Sequence, residues 1–178
     1  MITGKNYIGN QLSAKGNKTF KTFNPLLNID NQWKITEASK EEINHAADLA
    51  ADAFTSYSKI SGTRKAEFLR AIADEIEALG DELLEVYSSE SGLPGGRAMG
   101  ERGRTLGQLR AFANHVEEGN WVDVSIDTAQ PERQPVPKVD LRKMNVGLGP
   151  VVVFGASNFP FAFSTAGGDT AAALAAGC

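Results

Sequence analysis

The stretch GPVVVFGASNFPF, residues 149–161, decides the fold class of this chain. Its four apolar residues from Val151 to Phe154 predict a strand that is buried on both faces, which is typical of a parallel sheet covered by helices. A Gly-Ala-Ser-Asn turn follows, and the small side chains of residues 162–176 predict an Ala-rich helix that ends at Gly177. This order of strand, turn and helix predicts an α/β fold.

Three helices are predicted before this stretch. Ser39 to Glu42 has the pattern of a capping box, and apolar residues recur behind it at helical spacing (Ile43, Ala46, Ala50, Ala53, Phe54 and Tyr57). A second helix follows Gly62, restarts near Gly80 and stops at the Gly- and Pro-rich residues 91–96. A third helix runs from about residue 97 to residue 118, and Gly119 is placed to end it.

Extended segments flank these helices. Residues 121–127 and 139–146 lie on either side of a Pro-rich connection and predict a hairpin or arm, while residues 5–8 and 19–23 predict edge strands of an N-terminal arm. A parallel sheet needs partner strands, and no other predicted strand is as apolar as residues 151–154. We therefore expect the 178 residues to be the N-terminal part of a longer protein.

Composition excludes several classes of function. The chain is 42% apolar and 22% charged, with a net charge of -4 and both signs spread along it, so it has no basic stripe that would bind nucleic acid. It has no run of apolar residues long enough to span a membrane, and its first residues lack the apolar core of a signal peptide. The single cysteine, Cys178, fits a reducing compartment, and we expect a cytoplasmic protein.

Asn158 is the polar residue at the end of the predicted turn, and two roles suit it. At the carboxyl edge of a sheet, its amide is a donor without formal charge, which can stabilise the oxyanion that forms when a carbonyl is attacked. The alternative is that Asn158 only caps the Ala-rich helix. Spacing alone favours the cap.

The stretch at residues 149–161, followed by AGGDTAAALAAGC at residues 166–178, resembles the aldehyde dehydrogenase superfamily. The N-terminal arm, the helix from Ser39 and the Glu90-x-Gly92-x-Pro94 segment resemble it as well. The resemblance implies three regions: an N-terminal arm and the helical part of the cofactor domain at 1–120, an antiparallel oligomerisation arm at 121–148, and the first strand, turn and helix of an incomplete Rossmann-like sheet at 149–178.

The same resemblance assigns roles to the turn. It places Asn158 in an oxyanion hole, together with a backbone N–H. It places the turn along a nicotinamide cofactor, NADP or NAD, held mainly through backbone by Phe154, Gly155, Ala156 and Ser157. The family usually has Pro-Trp just before this Asn, and this chain has Ala-Ser. That departure, with GERGRT at 100–105 and QLR at 108–110, resembles a narrower subgroup, the α-ketoglutaric semialdehyde (2,5-dioxovalerate) dehydrogenases.

Three side chains are expected to bind the substrate. Alignment with the family places Arg104 on a helix that lines the substrate tunnel, where a guanidinium suits the far carboxylate of an aldehyde such as 2,5-dioxopentanoate. Phe159 and, one helical turn later, Phe163 would wall the same channel. Periodicity argues for an alternative, because Arg104 lies roughly opposite the apolar face of its helix and would then be a solvated arginine. Arg102 lies nearer the apolar face and is expected to pair with a carboxylate, and Arg110 is expected to be structural as well.

The remaining reactive residues are expected to be inert. The family's nucleophilic cysteine and general-base glutamate lie downstream of these residues, so Cys178 is expected to be a small core residue and the segment by itself to be inactive. His45 and His115 have no ligand spacing, and no metal site is predicted.

The resemblance implies oxidation of an aldehyde to a carboxylate through a cysteine adduct, in a homodimer or homotetramer. Two alternatives stay open: a dehydrogenase for another aldehyde (succinic or glutaric semialdehyde, or a long-chain aldehyde), and a non-catalytic oligomerisation module.

Overall fold

Helices packed on one another, rather than a sheet, form the centre of the molecule. The computed structural model describes residues 2–178. Its helices are α1 (Lys40–Tyr57), α2 (Gly62–Ala78), α3 (Gly80–Ser91), α4 (Gly95–Glu118) and α5 (Gly168–Ala176). Its strands form three antiparallel pairs within the described residues: β1 (Asn6–Ile8) with β2 (Gln11–Ser13), β3 (Thr19–Asn24) with β4 (Ile29–Thr36), and β5 (Ser125–Asp127) with β6 (Leu141–Lys143).

The core lies between α2, α4 and α5. Leu69, Leu109 and Val116 are its largest fully buried side chains. Alanines fill the rest of the contact and let the three helices approach closely (Ala66, Ala73, Ala113, Ala171 and Ala175). The small side chains of α5 therefore pack closely against α2 and α4.

The predicted start of α1 and the predicted ends of α3 and α4 are confirmed by their caps. The Ser39 side chain accepts a hydrogen bond from the Glu42 N–H, and the Glu42 carboxylate accepts one from the Ser39 N–H, which completes the capping box. Gly92 and Gly119 end α3 and α4 in the left-handed conformation that glycine adopts without a steric cost. The predicted restart near Gly80 is the start of α3.

The predicted β arm is confirmed, although it is shorter than expected. Ser125 pairs with Lys143 and Asp127 with Leu141 in an antiparallel ladder. Residues 120–122 form a 3₁₀ turn instead of the start of the strand, because Gly119 and Asp123 on either side are in the left-handed region and curl the backbone.

The buried strand predicted over Val151–Phe154 is not present. Within residues 2–178 no strand pairs with this segment, and Val152 and Phe154 are 77% and 84% exposed. An apolar run predicts burial, but a strand also needs a neighbouring backbone to satisfy its N–H and C=O groups. The described residues place none beside it.

The Ala-rich helix also begins later than predicted, at Gly168 instead of residue 162. Residues 159–167 form successive turns, in which Phe163 N–H bonds to the Phe159 carbonyl and Gly168 N–H bonds back to the Ala162 carbonyl. A Cβ at Gly167 would lie 2.5 Å from that Ala162 oxygen, so the chain reverses at a position where only glycine fits. Pro160 therefore lies in this series of turns, not in the first turn of a helix.

The apolar face predicted for α1 is mostly exposed. Ile43 is 59% exposed, and Ala46, Ala50 and Ala53 are exposed as well, whereas Phe54 and Tyr57 are half-buried. The Tyr57 hydroxyl donates to the Leu174 carbonyl and ties the end of α1 to α5. Within residues 2–178, no helix has both the length and the apolar character needed to cross a bilayer.

Candidate active site

A buried carboxylate joins α4 to the turn that carries Asn158. Glu101 is 4% exposed, and its Oε1 accepts hydrogen bonds from the Tyr87 hydroxyl at 2.8 Å and from Arg97 Nε at 2.7 Å. Its Oε2 accepts one from the Phe161 N–H at 3.1 Å. Arg97 and Glu101 are one helical turn apart on α4, so the helix itself brings the pair into contact.

The hydrogen bonds to Glu101 keep it ionised. Burial by itself raises the pKa of Glu101, but the hydrogen bonds from Tyr87, Phe161 and Arg97 outweigh it and hold the pKa below its usual range. Burial, followed by the hydrogen bond to Glu101, raises the pKa of Tyr87 to about 12. At neutral pH the pair is therefore a carboxylate that accepts and a neutral phenol that donates.

Asn158 lines an open cleft of about 830 Å³ between α3, α4 and the turns at 157–166. The cleft is mainly apolar, with Leu83, Val86 and Phe161 among its lining residues. The Asn158 carbonyl accepts a hydrogen bond from Arg97 Nη2 at 3.2 Å, and none of the described residues hydrogen-bonds the Asn158 side-chain amide. The amide is exposed and available as a donor to a ligand.

The alternative that Asn158 caps the following helix is wrong. The N-cap of α5 is Gly167, and Asn158 precedes it by several turns. Arg97 holds the backbone carbonyl of Asn158, and within residues 2–178 its side-chain amide has no hydrogen-bond partner.

Residues 154–157, expected to lie along the cofactor, are exposed and belong to no helix or strand. A Cβ at Gly155 would meet only the Phe163 carbonyl, at 3.6 Å. The Ala156 N–H is already used, because it donates to that same carbonyl at 2.8 Å. Gly155, Ala156 and Ser157 are small and exposed, and the Ala156 N–H ties this segment to Phe163.

The three side chains expected to bind substrate lie together. The guanidinium carbon of Arg104 is 5.2 Å from the Phe159 ring centroid and 5.3 Å from that of Phe163. The two rings make an edge contact with centroids 6.0 Å apart. Arg104 is exposed, as periodicity indicated, but it is stacked on aromatic rings and not simply solvated. This cluster is next to the cleft that Asn158 lines and not among its lining residues.

The remaining arginines and the cysteine considered from the sequence have structural surroundings. Arg110 pairs with Asp74 and Glu77 and so links α4 to α2, as expected. Arg102 donates to the Gly80 carbonyl, where a carboxylate partner was expected. Cys178 is a half-buried thiol just after α5. The described part of the chain has no group of three His, Cys, Asp or Glu side chains placed to hold a metal.

Sequence reasoning missed Glu101, Arg97 and Tyr87. A signal was present, because Glu101 falls on the face of α4 that carries Ala98 and Thr105, which are buried. A carboxylate on a buried face, with an arginine four residues before it, predicts a buried ion pair.

The aldehyde dehydrogenase family matches residues 12–178, which is most of the chain. The chain belongs to the aldehyde dehydrogenase family. It is 52% identical to α-ketoglutaric semialdehyde dehydrogenase 2 of Azospirillum brasilense, over 99% of this chain and 34% of that protein. It is 48% identical to α-ketoglutaric semialdehyde dehydrogenase of Acinetobacter baylyi, over 98% of this chain and 33% of that protein. The chain thus spans about a third of the length of these curated relatives.

Solved structures show the same fold. The chain matches a betaine aldehyde dehydrogenase point mutant of Staphylococcus aureus, crystallised in complex with NAD⁺, with a TM-score of 0.82 and 21% identity. The match covers 100% of this chain and 35% of that chain. The predicted aldehyde dehydrogenase fold and the resemblance to the semialdehyde dehydrogenase subgroup are therefore confirmed.

Proposed function

We propose that the whole protein carrying this chain oxidises an ω-carboxylated aldehyde, 2,5-dioxopentanoate, to 2-oxoglutarate with NADP or NAD. The observation that carries the choice of substrate is the Arg104 guanidinium, exposed and stacked on Phe159, the residue next to Asn158. A planar cation with free donors pairs well with a carboxylate. The similarity to two α-ketoglutaric semialdehyde dehydrogenases supports the same substrate.

In this proposal Asn158 donates its side-chain N–H to the aldehyde oxygen as negative charge develops there. The structure supports the role because this amide lines the cleft and has no partner among the described residues. A single oxyanion donor contributes about 2.7–4 kcal/mol to lowering a barrier. The nucleophilic cysteine and the general base belong to the part of the family pattern beyond residue 178.

Phe154, Gly155, Ala156 and Ser157 would hold the nicotinamide cofactor. All four residues are exposed, and the small side chains of Gly155, Ala156 and Ser157 leave room for a ligand to lie along the backbone. When bound, that cofactor accepts the hydride that leaves the substrate carbon. The subgroup resemblance favours NADP, and parallel assays with NADP and NAD test the preference.

The test is cofactor reduction by the whole protein with 2,5-dioxopentanoate, comparing wild type with Asn158→Ala. We expect kcat to fall about 10²–10³-fold, the usual effect of losing one oxyanion donor. Asn114→Ala is the matched control, because Asn114 lies on the exposed side of α4, where it accepts a hydrogen bond from Arg70. A wild-type kcat in Asn158→Ala would overturn the oxyanion role. A kcat/KM for an uncharged aldehyde equal to that for 2,5-dioxopentanoate would overturn the proposed substrate.

We also propose that the β5–β6 arm assembles the protein into a homodimer or homotetramer. Large apolar side chains on and beside the arm are exposed, including Ile126, Val139 and Leu141. Sedimentation of the whole protein should give a dimer or tetramer, and Leu141→Asp should shift it towards monomer. A monomeric wild-type protein would contradict the proposal.

A further inference from the structure

One ion pair, Arg97–Glu101, holds the turn that carries Asn158 at two points, residues 158 and 161. Arg97 Nη2 holds the Asn158 carbonyl, and Glu101 Oε2 holds the Phe161 N–H. Arg97 Nε and Glu101 Oε1 are joined to each other at 2.7 Å. The Arg97 guanidinium also lies over the Phe159 ring, 4.8 Å from its centroid. The Arg97–Glu101 pair therefore contacts the residues before, at and after the middle of this turn.

We propose that Glu101 is a positioning residue that sets the location of the Asn158 amide by holding Arg97 and the Phe161 N–H. The proposal rests on the oxyanion role proposed for Asn158. Glu101 does not line the cleft, so it acts through the turn and not on a substrate. Because a misplacement of about 1 Å at a reacting centre can cost about 10²-fold in rate, a loosened turn lowers kcat.

The chemistry of the site requires a carboxylate rather than an amide. Both oxygens of Glu101 face donors: Tyr87 and Arg97 on one side, and the Phe161 N–H on the other. A glutamine has one acceptor oxygen and one NH₂ group, so one side would bring donor against donor. Glu101→Gln therefore keeps the volume of the side chain and releases one end of the anchor.

The experiment compares Glu101→Gln, Asn158→Ala and the double variant in the whole protein. We expect Glu101→Gln to lower kcat about tenfold or more, while cofactor affinity changes less than about twofold. In the Asn158→Ala background, the same substitution should cause no further loss, because the residue it positions is already gone. Glu117→Gln is the matched control on α4, since Glu117 pairs with Arg70 far from the turn, and it should keep wild-type kcat.

A second readout follows the turn directly. Backbone hydrogen exchange of residues 156–163 should be faster in Glu101→Gln than in Glu117→Gln. The inference would be overturned if Glu101→Gln kept both the kcat and the hydrogen exchange of the wild type. It would also be overturned if Glu101→Gln lowered kcat equally in the wild type and in Asn158→Ala, because such a loss indicates a general loss of fold. Full kcat in Asn158→Ala alone overturns the oxyanion proposal instead, and exchange then still decides whether Glu101 anchors the turn. If Glu101→Gln does not fold, Arg97→Met takes its place, alone and combined with Asn158→Ala, and Arg110→Met is the control. The same results support or overturn the inference.

Discussion

The guanidinium of Arg104 lies over the ring of Phe159, with 5.2 Å between its carbon and the ring centroid. Arg104 is on α4 and Phe159 is in the turns before α5, so only the packing of these two elements brings them together. The ring orients the cation without neutralising it, because a cation–π contact leaves the N–H donors in the guanidinium plane free. The donors of Arg104 therefore stay free for the carboxylate of the proposed substrate.

Replacing Arg104 with methionine should lower kcat/KM for 2,5-dioxopentanoate about 10–100-fold. A hydrogen bond to a charged group contributes about 1.5–3 kcal/mol, and each 1.36 kcal/mol corresponds to a factor of ten. For pentanal, which lacks the carboxylate, kcat/KM should stay close to wild type. Arg110→Met controls for loss of an arginine on α4. An unchanged value for 2,5-dioxopentanoate would show that Arg104 does not contact the carboxylate.

Leu69→Ala should lower the free energy of unfolding by about 2–5 kcal/mol, the range for a large core side chain cut to alanine. Leu69 is on α2 and is fully buried in the core that α2 forms with α4 and α5. The same substitution at Leu79, which is mostly exposed at the end of α2, should cost less than about 1 kcal/mol. Chemical denaturation measures both, and similar losses at the two positions would refute this description of the core.

Gly62→Ala should destabilise the protein, whereas Gly107→Ala should stabilise it by up to about 1 kcal/mol. A Cβ at Gly62 would lie 2.3 Å from the Val116 carbonyl oxygen, so α2 and α4 would have to move apart. A Cβ at Gly107 would meet no atom within 4 Å, and alanine is the better helix former. The free energies of unfolding of the two variants should thus change in opposite directions, and a loss at both positions would contradict the prediction.

Glu42→Gln should remove part of the acid dependence of stability. The hydrogen bond from Ser13, followed by those from the Ser39 and Lys15 backbone, lowers the pKa of Glu42 to about 2. A carboxyl group with a pKa lowered by folding stabilises the protein above its unfolded pKa, near 4.5, and loses that contribution as the pH falls towards 2. The difference in stability between wild type and Glu42→Gln should be largest at neutral pH and should shrink across this window. A difference that is constant from pH 7 to pH 2 would show that Glu42 is not held as a carboxylate.

The helices before residue 120 and their ends could be predicted because their signals are local. Ser39 and Glu42 make the capping box that their spacing predicts, and Gly92 and Gly119 end helices in the conformation that glycine favours. The signal for the β arm is also local, because two short extended segments flank one connection. The family could be predicted as well, because the Asn-Phe-Pro turn and the Ala-Leu-Ala-Ala-Gly run lie close together in the sequence.

Burial and pairing could not be predicted in the same way, because they depend on what lies beside a segment. Val151–Phe154 is as apolar as a buried strand, yet it is exposed and unpaired within the described residues. The apolar stripe of α1 is exposed for the same reason. Hydrophobic spacing predicts which residues favour burial, but tertiary contacts determine which of them are buried.

By itself, the sequence determined most boundaries of α1 to α4, the caps, the family and the candidate residue Asn158. Tertiary structure alone decided that Glu101 and Arg97 hold the turn of Asn158, and that Arg104 stacks on Phe159 and Phe163. The physical reason is the range of the interactions. Capping and glycine conformations act within one helical turn, whereas the Glu101 carboxylate joins donors from α3, α4 and the turn, which the fold alone brings within hydrogen-bonding distance.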